Sequence, residues 1–245
     1  MGEVPHLFVG TENGTILCYN FDVVSEGDDD NVEQCVLLGR KFRLVGHTDG
    51  VNDFALLTQN NHQLETLGDV DTFLLSCAED KSIMMWDIIR NGTLLRTFTG
   101  HTGVVQCLCV SHAWENADSE TVIISGSWDH TIAVWNPRDG TQLKSIKTPG
   151  TVVTVAAFSE DVMEKTAMKK RSYMLYNNSD CGVAMSPIRM AESVLRYYGG
   201  LYREGHKYGV VTSCSIAAPF NLVAAAVKAS TDDATDGNHV LKLFS

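Results

Sequence analysis

The chain has 245 residues, 44% hydrophobic and 20% charged, which is enough apolar side chain to bury a sizeable core and argues against wholesale disorder. Its 19 Lys and Arg against 30 Asp and Glu leave a net charge of −11, which argues against a general nucleic-acid binder, because neutralising phosphates takes concentrated cations. No apolar run approaches the roughly 20 residues of a membrane-crossing helix, and Met1–Gly10 has neither the basic stretch nor the long apolar run of a secretory signal. The seven cysteines form no CxxC pair and read as reduced, mostly buried thiols.

In chain order, residues 7–21 (LFVGTENGTILCYNF) read as two strands about a turn at Asn13, and Lys41–Val45 as a further strand. The acidic stretch Ser25–Glu33 between them reads as a solvated connection. The segment Gly46–Trp86 opens GHTDGVNDFALL and closes FLLSCAEDKSIMMWDI. Its short β-prone runs (Val51–Leu56, Leu74–Cys77, Ile83–Trp86) are bounded by turn residues, with a tight turn at Glu79-Asp80-Lys81, and Arg96–Phe98 adds a fourth strand. The segment Gly100–Trp135 repeats the scheme, with its turn at Trp128-Asp129-His130 and its fourth strand at Leu143–Ile146. Ser76, Asp80 and Trp86 recur at the same offsets as Ser125, Asp129 and Trp135.

A fourth unit begins at Thr151, with one strand at Tyr173–Asn177 and another ending near Met185. Between its first two strands, Glu160, Asp161 and Glu164 precede Lys165, Lys169, Lys170 and Arg171, a polarity that suits a short solvated helix. The stretch Ile188–Gly200 reads as helix or strand, and its likeness to Ile89–Gly100 favours the strand. A fifth unit runs from Gly205-His206 to Val240–Phe244.

Gly46-His47 with Trp86-Asp87, and Gly100-His101 with Trp135-Asn136, resemble the WD40-repeat family. The resemblance implies an all-β propeller of four-stranded antiparallel blades around a central channel. It would be a single domain over residues 1–245, in units of roughly 1–45, 46–99, 100–148, 149–204 and 205–245. Asn13 and Tyr19 take the Asp and Trp positions of the first unit, and Phe244 the Trp position of the last. About eighteen strands, or roughly four and a half of about five blades represented, fall short of the roughly seven with which such propellers usually close. The expectation is an incomplete ring: part of a longer propeller, a truncated chain, or one completed by a partner, since an unpaired edge exposes backbone donors and acceptors.

His47, Ser76 and Asp80 are the ingredients of a hydrolytic triad, but the set recurs as His101, Ser125 and Asp129, and a constellation repeated at fixed offsets serves architecture. The resemblance implies a buried chain in which the Trp indole bonds Ser, Ser bonds His and His bonds the turn Asp. No catalytic residue is expected. Cys107 and Cys109 with His101 and His112 lack the spacing of a zinc knuckle, and no nucleotide or calcium motif occurs, so neither metal nor cofactor is expected.

On the family pattern, the top face around the channel is lined by Asn52, Gln106, Thr154, Thr212, Glu79 and Trp128. Trp128, a large aromatic beside the turn Asp, resembles an interface anchor. The stretch Ile123–Arg138 resembles the box by which some WD40 proteins dock onto a cullin-RING ubiquitin ligase. Trp135 and Arg138 are its candidate docking residues, with Asn136 in place of the acidic residue. The expected function is a non-enzymatic protein-protein interaction scaffold that binds a partner through the top face within a multiprotein complex. An intracellular setting, cytoplasmic or nuclear, is expected, with no membrane and no direct nucleic-acid contact. The alternatives are a substrate receptor of a cullin-RING ligase and a subunit of an RNA-processing complex.

Overall fold

The middle strands of the two strong repeats carry apolar side chains on both faces. Every residue of Ile83–Asp87 and Val122–Ser127 is buried, so a sheet built from them needs cover on both sides. The computed structural model describes residues 6–26, 33–60, 70–90, 92–111, 121–164, 167–178, 182–188, 196–197, 210–217, 222–228 and 239–244. They hold eighteen β-strands, with no helix among the described residues.

Sheet one comprises β1 (His6–Gly10), β2 (Thr15–Glu26) and β3 (Glu33–Val45). Sheet two comprises β4 (Val51–Asn60), β5 (Val70–Ala78), β6 (Ile83–Asp87) and β7 (Thr93–Phe98). Sheet three comprises β8 (Val105–Ser111), β9 (Val122–Ser127), β10 (Thr131–Trp135) and β11 (Gln142–Lys147). Sheet four comprises β12 (Val152–Glu164), β13 (Ala167–Asn178), β14 (Gly182–Pro187) and β15 (Arg196–Tyr197). Sheet five comprises β16 (Val210–Ala217), β17 (Leu222–Lys228) and β18 (His239–Phe244). Each is an antiparallel meander in chain order, which makes the protein all-β with sheets of propeller-blade form.

Alternation along a strand sends successive side chains toward different neighbouring sheets. Leu74, Met84 and Trp86 pack with Ile16 and Leu44 of sheet one. Leu75, Ile83 and Met85 pack with Leu108, Ile123 and Trp135 of sheet three. Ile124, Ile132 and Val134 meet Val152, Met174 and Tyr176 of sheet four. The core is therefore a series of apolar layers between consecutive sheets, and the first strands β4, β8, β12 and β16 contact one another in sequence. Outer strands β7 and β11 are mostly exposed.

Three kinds of contact set the spacing of the sheets. Small residues allow close approach: a Cβ on Gly126 would collide with Val152 and Cys107, and one on Gly10 would stand 2.8 Å from Val51 Cβ. Outer-strand cations clasp the next sheet: the Arg96 guanidinium donates to the carbonyls of Asp139 (2.9 Å) and Arg138 (2.7 Å), and Lys144 Nζ donates to Ile188 O (3.3 Å). Near the innermost strands, Asn52 Nδ2 donates to Val105 O at 2.9 Å, and the Leu108 amide donates to Asp53 Oδ2 at 2.8 Å.

Some local expectations need correction. No short helix separates the first two strands of sheet four. β12 and β13 continue as one hairpin, pairing Glu160 with Arg171, Asp161 with Lys170 and Glu164 with Ala167. Acids followed by bases suit a helix, but the backbone instead runs in an antiparallel register that sets the same two halves opposite each other. The connection at Ser25–Glu33 is shorter than expected, since β2 and β3 pair as far as Glu26 with Glu33. Residues 27–32 lie outside the described residues, as do Gly205-His206 and most of 188–200. Within that last stretch Arg196–Tyr197 is a strand paired with Met185 and Ala184.

Asp53 is half-buried, and desolvation raises its pKa above the ordinary aspartate value, against the lowering effect of the Leu108 and Phe54 amides. A raised carboxyl pKa favours the protonated folded state, so the charged form weighs on stability as pH rises through the folded value. Asp53→Asn keeps an acceptor for Leu108 without the charge but turns an NH2 toward the Phe54 amide, which the second carboxylate oxygen accepts at 2.8 Å; the stability lost as pH rises through the Asp53 value is expected to be absent in this variant. Asp53→Ala leaves that buried amide unpaired and is expected to cost about 1–3 kcal/mol in urea denaturation.

Candidate functional site

A turn of one shape joins the first two described strands of sheet one and the second and third strands of sheets two and three. The pairings Gly10–Ile16, Cys77–Ile83 and Gly126–Ile132 make residues 11–15, 78–82 and 127–131 equivalent. The fourth residue of each turn has positive φ: 79° at Gly14, 68° at Lys81 and 63° at His130. Two of these three are not glycine, so something must hold the turns against the cost of the left-handed region.

The side chain of the preceding residue provides that hold. Asp80 Oδ2 accepts from His47 Nδ1 (2.9 Å) and the Thr48 amide (3.0 Å), while its Oδ1 accepts from the Ser82 amide (3.0 Å) and hydroxyl (2.7 Å). In the next sheet, Asp129 accepts from His101 Nδ1 (2.8 Å), the Thr102 amide (2.9 Å), and the Thr131 amide (3.0 Å) and hydroxyl (2.6 Å). A carboxylate can only accept, so Nδ1 carries the imidazole proton and Nε2 accepts from the Ser76 or Ser125 hydroxyl, at 2.8 Å in both. That serine in turn accepts the indole N–H of Trp86 or Trp135, again at 2.8 Å. Burial works against the carboxylates, yet the hydrogen bonds from Ser82, Thr48 and His47 outweigh it and lower the Asp80 pKa; those from Thr131, Thr102 and His101 do the same for Asp129. In sheet one Asn13 holds the position, with Oδ1 accepting the Thr15 amide at 3.2 Å.

Each serine hydroxyl is thus committed on both sides, and each indole is sealed at 1% exposure. Gly46 and Gly100 lie against the rims of Trp86 and Trp135, where a Cβ would come within 2.7 and 3.0 Å of the ring. The Gly-His pair thereby admits the ring and supplies the imidazole. This arrangement locks strands together and leaves no hydroxyl free to act as a nucleophile.

The turns share one edge of the sheets with the starts of the innermost strands. The Glu79 amide donates to Gly50 O (2.8 Å), the Trp128 amide to Val104 O (2.9 Å) and the Val51 amide to Thr11 O (3.2 Å). Trp128 is 53% exposed, and Glu79 is exposed beside its own turn Asp. Asn52 and Gln106 each bulge from the start of a first strand, as register shifts at Val51/Asp53 and Val105/Cys107 show, and both are half-buried. Thr212 occupies the same bulge in β16. In sheet four that place belongs to Val153, because the shift falls between Val152 and Thr154. Thr154 is one residue further on, with its amide on Asn177 Oδ1 at 3.0 Å.

Of the docking pair, Arg138 is exposed in the turn after β10 and Trp135 is buried. The Asn136 side chain is taken up by the Arg138 amide (2.9 Å) and Asp139 (3.2 Å). Cys107 is buried, and burial pushes its thiol pKa well up. Among the described residues no cluster could hold a metal ion, and no helix is long and apolar enough to cross a membrane. Glu12 precedes Asn13 as Glu79 precedes Asp80; assigning Asn13 to the turn position already pointed to it. Asp53 carried no such signal.

The family model described as "WD domain, G-beta repeat" matches residues 39–87 and 92–136. Residues 39–87 and 92–136 are thus two repeats of WD40 type, and the chain resembles the WD40-repeat family. A mouse (Mus musculus) protein named peroxisomal targeting signal 2 receptor is 28% identical over 121 residues, 49% of this chain and 34% of that protein. Eukaryotic translation initiation factor 3 subunit I of Schizosaccharomyces pombe is 36% identical over 88 residues, 36% of this chain and 24% of its own length. Mouse pre-mRNA-processing factor 17 is 27% identical over 166 residues, 67% of this chain and 25% of its own. The matches span about a third or less of the length of these relatives. The crystal structure of the computationally designed Ika4 protein superposes with a TM-score of 0.51 at 21% identity, covering 82% of this chain and 94% of that one, a likeness of fold.

Ser125→Ala would leave the buried Trp135 indole and His101 Nε2 without their partner, an expected loss of about 1–3 kcal/mol in chemical denaturation. The lowered Asp80 and Asp129 values favour the charged folded state above the unfolded aspartate pKa. Thermal scans against pH are therefore expected to show stability falling as pH drops below about 4, with a shallower fall in Asp129→Asn.

Proposed function

We propose that this WD40 chain is a non-enzymatic scaffold, a single propeller domain that engages a protein partner through the edge bearing the turns at Glu12, Glu79 and Trp128. The observation that carries the reading is the contrast among three tryptophans on one framework. Trp86 and Trp135 are sealed, whereas Trp128, on a turn held by Asp129, is 53% exposed. A rigid exposed indole offers large contact area at low entropic cost, the profile of a binding anchor. Asn52, Glu79, Gln106 and Thr212 belong to the same proposed surface, with Thr154 beside it.

The absence of a catalytic role is part of the proposal. Ser76 and Ser125, the nucleophile positions of the two triad-like sets, are buried and bonded on both sides, which favours architecture over chemistry. The relatives' names support an intracellular setting and work alongside other proteins: a receptor, a subunit of an initiation factor and a pre-mRNA-processing factor. The likeness to the processing factor extends over 67% of this chain and favours a place in an RNA-processing assembly as the second reading. The exposed Arg138 side chain keeps ligase-adaptor docking testable, although Trp135 is not accessible to share in it.

Affinity capture with mass spectrometry, run on wild type and Trp128→Ala, tests the first reading. Loss of the specific partner at unchanged Tm is expected, and undiminished capture would refute the anchor. Arg138→Ala is expected to leave that partner bound, whereas loss of a cullin-RING adaptor in this variant alone would favour the ligase reading.

A further inference from the structure

The register of the turns makes Glu12, Glu79 and Trp128 the same position in three consecutive sheets, and all three are exposed. They are also mechanically linked. Val51 joins the turn of Glu12 through Thr11 O. Gly50, the residue before Val51, anchors the Glu79 amide. Asn52, the residue after Val51, reaches Val105 O, next to the Val104 carbonyl that anchors Trp128. The three side chains therefore form one row on a hydrogen-bonded rim.

The chemistry of the row changes along it. Glu79 Cδ lies 3.4 Å, and the Glu12 carbonyl oxygen 3.6 Å, from the point where a Cβ on Gly50 would stand, so a carboxylate and a backbone acceptor converge there. Neither Glu12 nor Glu79 forms a salt bridge among the described residues, and exposed Asp49 adds a third carboxylate nearby. Asp80 and Asp129, by contrast, are fully engaged within their turns. Lys81 supplies the one Lys or Arg of these three turns, and Trp128 their one indole.

We propose that the occupant of this edge is an extended, basic protein segment. Its Lys or Arg would lie between the Glu12 and Glu79 carboxylates, and a neighbouring side chain, apolar or guanidinium, would cover the Trp128 ring. Charge complementarity selects this occupant: the carboxylates outnumber Lys81, and the whole chain carries −11. An indole face next to carboxylates accepts cations by both its quadrupole and the adjacent charge. The inference rests on the top-edge reading above and adds the chemical class of the ligand.

The test uses the full chain and fluorescein-labelled peptides in three matched versions, with Lys/Arg, Gln or Glu alternating with Tyr and Ser, followed by fluorescence anisotropy. The basic version alone is expected to bind, and to weaken several-fold as ionic strength rises from about 0.05 to about 0.5 M. Trp128→Ala is expected to weaken it roughly tenfold or more. Glu12→Gln with Glu79→Gln is expected to weaken it about 2–5-fold for each exposed pair lost, at unchanged Tm. Glu26→Gln with Glu33→Gln removes the same charge from the far end of β2 and β3 and is expected to bind as wild type. No binding of the basic peptide, equal binding of the Gln version, or equal losses in the two charge variants overturns the basic-segment proposal. If Trp128→Ala nevertheless loses its specific captured partner, the top-edge reading survives; if it retains that partner, both fall.

Discussion

Sheets two and three of this protein are apolar on both faces, and that constraint governs what surrounds them. A single such sheet has no stable way to meet water, so each must stand between two others. Leu74 and Leu75, or Ile123 and Ile124, adjacent in sequence, belong to different layers for this reason. The stack is then adjusted by size. Glycines 10 and 126 give room for the valines of the following sheet, and Arg96 and Lys144 reach across the outer rim to carbonyls of the next.

A purely apolar interlayer would hold the sheets without fixing their edges. The Trp–Ser–His–Asp chain runs from inside the apolar layer to the solvent edge, with every donor and acceptor matched. Its inner end sits where an orphaned group is most costly, and its outer end pins a turn that adopts positive φ at Lys81 and His130. The core is thereby connected to the edge that bears the turns: Asp129 shapes the turn, and the residue before it, Trp128, is presented to solvent. The catalytic look of the His, Ser and Asp set comes from the same chemistry of tautomer control that a triad uses, employed here for rigidity.

Much of this was legible in the residues. The two strong repeats announce themselves because a Gly that clears an indole, a His, a Ser, an Asp and the Trp itself must all be present for the network to close. With no Gly-His ahead of the fourth unit, nothing in the sequence reports that Val153 bulges and Thr154 does not, because a bulge shifts register by one residue without a residue type of its own. The hairpin at 160–171 is not legible from charge order, because acids followed by bases suit a helix dipole and an antiparallel pairing equally well. Asp53 carries no local signal, since its partner is an amide 55 positions away.

The central claim is that two indoles are locked into the framework while a third stands free on it. Hydrogen exchange at the indole N–H groups, followed by NMR, reads this directly, because exchange of a buried, bonded N–H requires an opening event. Slow exchange is expected for Trp86 and Trp135, accelerated for Trp135 alone by Ser125→Ala, and exchange near the solvent rate for Trp128. Equal rates at all three, or protection of Trp128 in the isolated chain, would contradict the account.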